Sequence, residues 1–250
     1  MASDVGATPG LVRRVAAGAW HIPGGFAFLA RRPRLWPLAL MPAILAAASL
    51  AGGLVLGLFA SPAVESTLGH RLGSLPDWLS VPVTLGLWLA TVAAGVFSGL
   101  AMALLLAAPA LEKLSREVEV AASGETADAG AGLPWEVAQS LRGAIYFVSR
   151  MPGMLLVGFV PLVGPPLASL WAAHALAFQN TDPALGRRGL DFAARRAWHR
   201  SYRAESLGLG LASLVCLLVP CAGFLLTPAL VTGGTLLVLD LTEPPPLTGP

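Results

Sequence analysis

Four histidines, two cysteines, 14 carboxylates and 16 cationic side chains are what this chain of 250 residues has for chemistry, and their spacing points to binding, not to bond-making. His21, His70, His174 and His199 are scattered, with no HExxH and no Walker-type phosphate loop, and Gly208-x-Gly210 lacks the third glycine of a dinucleotide turn. Cys216 and Cys221 stand five apart, off a common helix face and far from any histidine, so they read as structural thiols. Asp182 and Asp191 flank a loop with no nucleophile between them, and we expect them to cap helices or pair with nearby arginines. His174, at the end of an apolar half-helix, is expected to be buried or to face lipid headgroups. The sequence thus calls for no enzyme, no cofactor and no metal site.

The basic residues are more informative. Arg195, Arg196, His199, Arg200 and Arg203 line one face of a helix, with Leu190, Ala193, Ala194 and Ala197 on another. Two chemistries fit. One is a lipid-facing basic helix in which Arg195, Arg196, Arg200 and Arg203 meet anionic headgroups, at about 1 kcal/mol each. The other is a vestibule that concentrates a small anion. The charge pattern favours lipid. A second group, Arg31, Arg32 and Arg34, follows Gly24-Gly25-Phe26. Net charge is only +2 and no long basic run exists, so nucleic acid is not an expected partner.

Elements that could position these residues must sit largely in lipid. With 55% hydrophobic and 12% charged residues and a mean hydropathy of +0.70, the chain has too few charges to coat a soluble globule. Lys, Arg, Asp and Glu are absent from four windows, Leu35–Val64, Trp78–Leu111, Met151–Thr181 and Ser206–Leu239, each longer than the roughly 20 residues a spanning helix needs. The first two read as spanning helices over 35–59 and 83–111, with Gly53-xxx-Gly57 and Gly95-xxx-Gly99 as close-packing faces open to another helix or another subunit. Residues 61–80 read as a loop and 121–133 as a linker. After Pro134, Val137, Leu141, Ala144, Ile145 and Val148 recur at helical spacing, which predicts an amphipathic interfacial helix.

Prolines and glycines interrupt the other two windows, at Val160-Pro161-x-x-Gly164-Pro165-Pro166 and at Val219-Pro220-x-x-Gly223. About a dozen helical residues on each side rise about 18 Å, short of the roughly 30 Å hydrocarbon core. We therefore expect partially inserted helical hairpins over 151–181 and 206–239. Basic side chains number five before the first window, one in the next loop, four from Glu112 to Arg150, six from Arg187 to Arg203 and none after. Two crossings and two hairpins place the three basic-rich segments on one side, as the positive-inside rule asks. The expected fold is an all-α integral membrane protein in one membrane domain, 1–250: an amphipathic N-terminal segment, 1–34, two long transmembrane helices, two inserted hairpins, and amphipathic interfacial helices.

With these interrupted helices, the chain resembles the CysZ sulfate permeases within the wider etoposide-induced membrane protein family. The resemblance is carried by Pro161-Leu-Val-Gly-Pro-Pro-Leu167, Trp171, Asn180-Thr-Asp-Pro183, Arg188-Gly-Leu-Asp-Phe192, Pro220 and Thr227-Pro-Ala-Leu-Val-Thr-Gly-Gly-Thr235, in the family's order and spacing. Gly25-Phe26 through Arg31-Arg32-Pro33 to Pro42, and Ala108-Pro109-Ala-Leu-Glu-Lys113, add to it. It implies a multi-pass protein of the bacterial cytoplasmic (inner) membrane, a homo-oligomer in contact with membrane lipids, moving sulfate or a similar small oxyanion for sulfur assimilation. The family's proposed sulfate contact is a Gly-hydrophobic-basic triplet; the matching Gly25-Phe26-Ala27 lacks the cation. Backbone amides of Gly24, Gly25 and Phe26 at a helix start, with charge from Arg31, Arg32 or Arg34, are the expected substitute. The alternative is a non-transporting membrane scaffold or lipid-interacting protein of the same family, motivated by that missing cation and by apolar windows free of carboxylates.

Overall fold

The computed structural model describes residues 10–72, 76–127, 133–219 and 223–242, and among them every regular element is helical. The order is α1 (Leu11–Ala30), a 3-10 turn (Pro33–Leu35), α2 (Trp36–Leu72), α3 (Asp77–Ser123), α4 (Leu133–Val148), α5 (Met151–Gly158), α6 (Gly164–Arg187), α7 (Phe192–Ser201), α8 (Arg203–Leu217) and α9 (Gly223–Thr242). The chain divides into two compact units, Leu38–Ala110 and the remainder, Met1–Pro37 with Leu111–Pro250. This is an all-α membrane protein. Among the described residues, three helices, within Pro33–Thr67, Trp78–Ser123 and Leu225–Thr242, are long and apolar enough to cross a bilayer.

The Leu38–Ala110 unit is a helix pair. The expected packing faces meet each other within it: a methyl group on Gly53 would collide with the Gly95 carbonyl, and one on Gly95 with the Gly53 carbonyl. In lipid, where apolar surface has nothing to escape, such close backbone approach supplies the attraction. The expected loop at 61–80 is mostly helix, because α2 runs to Leu72. Pro62 is accommodated, and the Ser61, Ser66 and Thr67 hydroxyls donate back to the carbonyls of Leu58, Ala63 and Ala63.

In the larger unit α1 and α6 each pack on α8 and α9 around Ile22, Leu185, Trp198, Leu209, Leu230 and Leu237. Both interrupted windows form helix pairs, but their arms differ from the expected dozen residues. In the first, α5 has 8 residues and α6 has 24, since α6 runs past Thr181 where Asp182 and Arg187 find partners inside the protein. The α5–α6 turn exposes Phe159 and Leu162, at 83% and 92%, with Leu162 at φ 67°. In the second, α9 has 20 residues and carries Pro228 within it. Its turn at Pro220 and Cys221 lies outside the described residues; Cys216 is a free thiol. Helix α4 turns Gln139 and Gly143 inward and exposes Leu141, Ile145 and Val148, as a helix lying against lipid would. It begins at Leu133, and most of the expected linker before it lies in α3 or outside the described residues.

Candidate functional site

Gly24, Gly25 and Phe26 lie inside α1, not at a helix start. Their N–H groups fall where a helix uses them for its own carbonyls, so they are not free for an anion. Gly25 is instead where α9 crosses: a methyl group there would overlap the Ala229 carbonyl and stand 2.7 Å from the Gly233 nitrogen. Phe26 packs against the apolar core. The three arginines beyond line neither of the two clefts found among the described residues. Arg31 and Arg34 are exposed, while Arg32 donates to the Ala121 carbonyl (3.2 Å) and stacks 3.7 Å above the Phe28 ring.

The structure instead gathers charge where α3, α6 and α9 meet. Glu119 is fully buried, and its Oε2 accepts from Arg187 Nε and Nη2 at 3.0 and 2.9 Å, while its Oε1 stands 2.7 Å from Arg188 Nη1. Arg187 also donates to Ser115 Oγ (2.9 Å) and to Glu112 Oε1 (3.3 Å), and Ser115 shares a 2.6 Å hydrogen bond with Thr235. The spacing Glu112, Ser115, Glu119 sets all three on one face of α3. Two carboxylates thus answer two guanidiniums, as burial demands. A second buried arginine, Arg195, pairs with Asp182, donates to the Leu190 carbonyl (2.8 Å) and lies 5.9 Å from the Trp135 ring centre.

Helix α7 is therefore turned differently from the expected lipid-facing basic helix. Its cap forms as expected, with Asp191 Oδ1 accepting from the Ala194 N–H at 2.7 Å. Arg195 and His199, each 3% exposed, point into the protein, and Ala193 and Ala197 face out. The ion pair to Asp182 draws Arg195 inward, so it does not belong to the lipid-facing set. Arg196 lies 4.6 Å over the Tyr146 ring, which Arg150 also covers at 3.7 Å. Arg200 and Arg203 are exposed and have no hydrogen-bond or ion-pair partner among the described residues.

His199 anchors a chain of polar groups. Thr181 gives its hydroxyl proton to the Ala177 carbonyl (2.9 Å) and so accepts from His199 Nε2–H (3.0 Å); Nδ1 then accepts from the Ser206 hydroxyl (3.1 Å). Phe178 stacks on the ring at 5.0 Å. Burial, helped by neighbouring His174, brings the imidazole down to about 3, so it is neutral at physiological pH. His199, Ser206 and half-buried His174 form one wall of a cleft of about 390 Å³, with Arg200, Arg203 and Leu207 completing the lining.

The Glu119 cluster is not evident from the charge-free windows, because its carboxylates and arginines lie outside them, with Glu119 and Arg187 68 residues apart. The signal lay just past one of them: a serine and two carboxylates at helical spacing at the end of an apolar run require cations from elsewhere, and Arg187-Arg188 is one of two adjacent arginine pairs after Leu35, Arg195-Arg196 being the other. No group of three or more His, Cys, Asp or Glu residues is arranged for a metal ion among the described residues.

Comparison with known proteins agrees with the motifs. Sulfate transporter CysZ of Pseudomonas aeruginosa (strain LESB58) is 32% identical over 176 residues, 65% of this chain and 72% of that protein. Sulfate transporter CysZ of Pseudomonas fluorescens (strain Pf0-1) is 31% identical over 176 residues, 65% and 70% of the two chains. That of Pseudomonas syringae pv. tomato is 30% identical over 177 residues, again 65% and 70%. Residues 22–228 match the family described as sulfate transporter CysZ/etoposide-induced protein 2.4, and the chain belongs to that family.

Proposed function

We propose that this protein is a multi-pass permease or channel of the bacterial cytoplasmic membrane for sulfate or a similar small oxyanion, supplying sulfur assimilation. The observation that carries this reading is the relationship to transporters of sulfate across most of the fold. Physical support comes from the interrupted helices at 160–166 and 219–223, since the exposed ends of broken helices can carry an ion site. In this reading α2 and α3 cross the bilayer, the α5–α6 and α8–α9 pairs enter it as hairpins with Phe159 and Leu162 leading the first, and Arg31, Arg32 and Arg34 draw anions to the surface. Further copies of the chain assemble with it in lipid. No nucleotide-binding loop occurs in the sequence, so flow is downhill or coupled to an ion gradient.

One observation favours the second reading, a non-transporting scaffold: Arg14, Arg187, Arg188 and Arg195 each already face a carboxylate, which leaves these cations no spare charge for an anion. Radiolabelled sulfate flux into liposomes holding the purified protein, against empty liposomes and with chloride and phosphate as competitors, decides between them. Saturable flux that prefers sulfate is expected. No flux of any anion, with insertion verified, gives the scaffold.

A further inference from the structure

We propose that the cleft between α6, α7 and α8 binds a tetrahedral oxyanion, sulfate or phosphate, free or as a lipid headgroup, held by Arg200 and Arg203 against a wall made by Ser206 and His199. The buried and half-buried arginines Arg14, Arg32, Arg187, Arg188, Arg195 and Arg196 each have a carboxylate, a carbonyl or an aromatic ring for the guanidinium, whereas the exposed Arg200 and Arg203 have no hydrogen-bond or ion-pair partner among the described residues. Both line a cavity, and no carboxylate lines it with them. Glu205, the acid next to it in sequence, is held by Arg14 through two hydrogen bonds of 2.6 and 3.0 Å, and Asp182 by Arg195. Two positive charges without an acid form an anion site by default. Guanidinium forks favour an oxyanion over chloride, because each can donate two parallel N–H bonds to a pair of oxygens.

The rear wall narrows the chemistry further. His199 Nε2–H is committed to Thr181, and its Nδ1 takes the Ser206 proton, so the imidazole adds neither charge nor a free donor. The Ser206 hydroxyl is the one rotatable donor on that wall, and it offers lone pairs to the cleft while it faces His199. A ligand that is wholly an acceptor, such as sulfate or a phosphodiester, gains from turning that hydroxyl outward. The second cleft of similar volume, in the Leu38–Ala110 unit, is lined by Glu65 and Trp88 and would repel the same ligand.

The proposal goes beyond the permease reading, since the site holds its ligand whether or not the ligand crosses. The test uses the full chain in phosphatidylcholine nanodiscs, with labelled sulfate and inorganic phosphate measured by equilibrium dialysis, and a parallel set measuring phosphatidylglycerol enrichment around the protein. The variants are the double substitution Arg200→Gln with Arg203→Gln, the double lysine substitution at the same positions, and exposed Arg13→Gln as control; each is accepted only with an unchanged thermal midpoint. At least tenfold weaker sulfate and phosphate binding in the glutamine variant, a smaller loss in the lysine variant and none in Arg13→Gln establishes a free-oxyanion site. Unchanged sulfate binding with lost phosphatidylglycerol enrichment assigns the cleft to a headgroup. If neither quantity moves, or the native protein binds neither ligand, the proposal is overturned. Absence of flux with binding intact would instead retire only the permease reading.

Discussion

The two units of this chain solve the same problem by different means. In the Leu38–Ala110 unit, helices are held by the absence of side chains: glycine backbones touch, and the large residues point away. The most apolar windows of α2 and α3 are only 17% and 12% buried, whereas that of α9, in the larger unit, is 61% buried. There the helices enclose Glu119, Arg187, Arg195, Asn180 and His199, each buried with polar partners. Close backbone contact suits a surface meant for lipid, while buried polar groups fix which helix meets which, because each wrong pairing strands a charge.

Removing one charge breaks that contrast most sharply. Arg187→Leu leaves Glu119 with Arg188 alone and Ser115 without its donor, and we expect a loss of about 3–5 kcal/mol. Thermal unfolding in detergent, followed by size-exclusion recovery, measures it. A midpoint equal to that of the native protein would mean that the larger unit is also held by apolar packing alone. Restoring neutrality with Glu119→Gln in the same chain should recover part of the loss, which a purely steric effect would not show.

Within the smaller unit the matching experiment is steric. Gly53→Leu drives a side chain into the Gly95 carbonyl and Gly99 backbone, costing about 1–3 kcal/mol or more if the helices part. Gly52→Leu, one residue along, meets nothing within 4 Å and is expected to be silent. Engineered cysteines on α2 and α3 near the crossing report the separation by cross-linking yield. Equal yields in the two variants would remove the glycine contact as the source of cohesion.

What could be read in the sequence follows the same division. The smaller unit was legible because its rule is compositional: long charge-free windows and small-xxx-small spacings predict apolar helices that touch, leaving open only whether the partner is intramolecular. The all-α class, the two proline-interrupted helix pairs and the Asp191 cap were legible for similarly local reasons. The larger unit's polar interior was not, since Glu119 and Arg187 are 68 residues apart and nothing local marks them as partners. Arg195 and Arg200 illustrate the limit: both are basic residues of one helix, yet Asp182 takes one inward and leaves the other in the cleft. The glycines before Arg31 misled because a Gly-Gly pair marks a tight helix crossing as readily as a helix start.

His199 supplies a graded test of the polar interior. Unfolded histidine takes a proton near pH 6.5, while the buried ring refuses it until about 3, so the unfolded state binds the extra proton throughout that interval. The contribution of neutral His199 is thus complete above pH 6.5 and erodes as pH falls, by about 2 kcal/mol at pH 5. His199→Asn should flatten that part of the stability profile while lowering its plateau, because Thr181 and Ser206 lose their partner. An identical slope in the variant would show that another group dominates the acid limb.

The smallest expected effect concerns how α7 is held in register. Asp191 is exposed, yet its carboxylate takes the Ala194 N–H and starts the helix that delivers Arg195 inward at its first turn, His199 to the polar chain and Arg200 to the cleft. Asp191→Ala should cost about 1 kcal/mol, and Asp191→Asn, which keeps an acceptor, a few tenths. The helix has only 10 residues, too few to persist in water by its own propensity, so fraying of its first turn should be visible as faster amide exchange at Ala194 and Arg195. Exchange confined to that turn would mean that the buried arginine and histidine hold the rest of α7 without the cap. Exchange spreading to His199 would make the cap the determinant of the cleft wall, and would tie a single exposed carboxylate to the polar interior that distinguishes this unit from its glycine-packed counterpart.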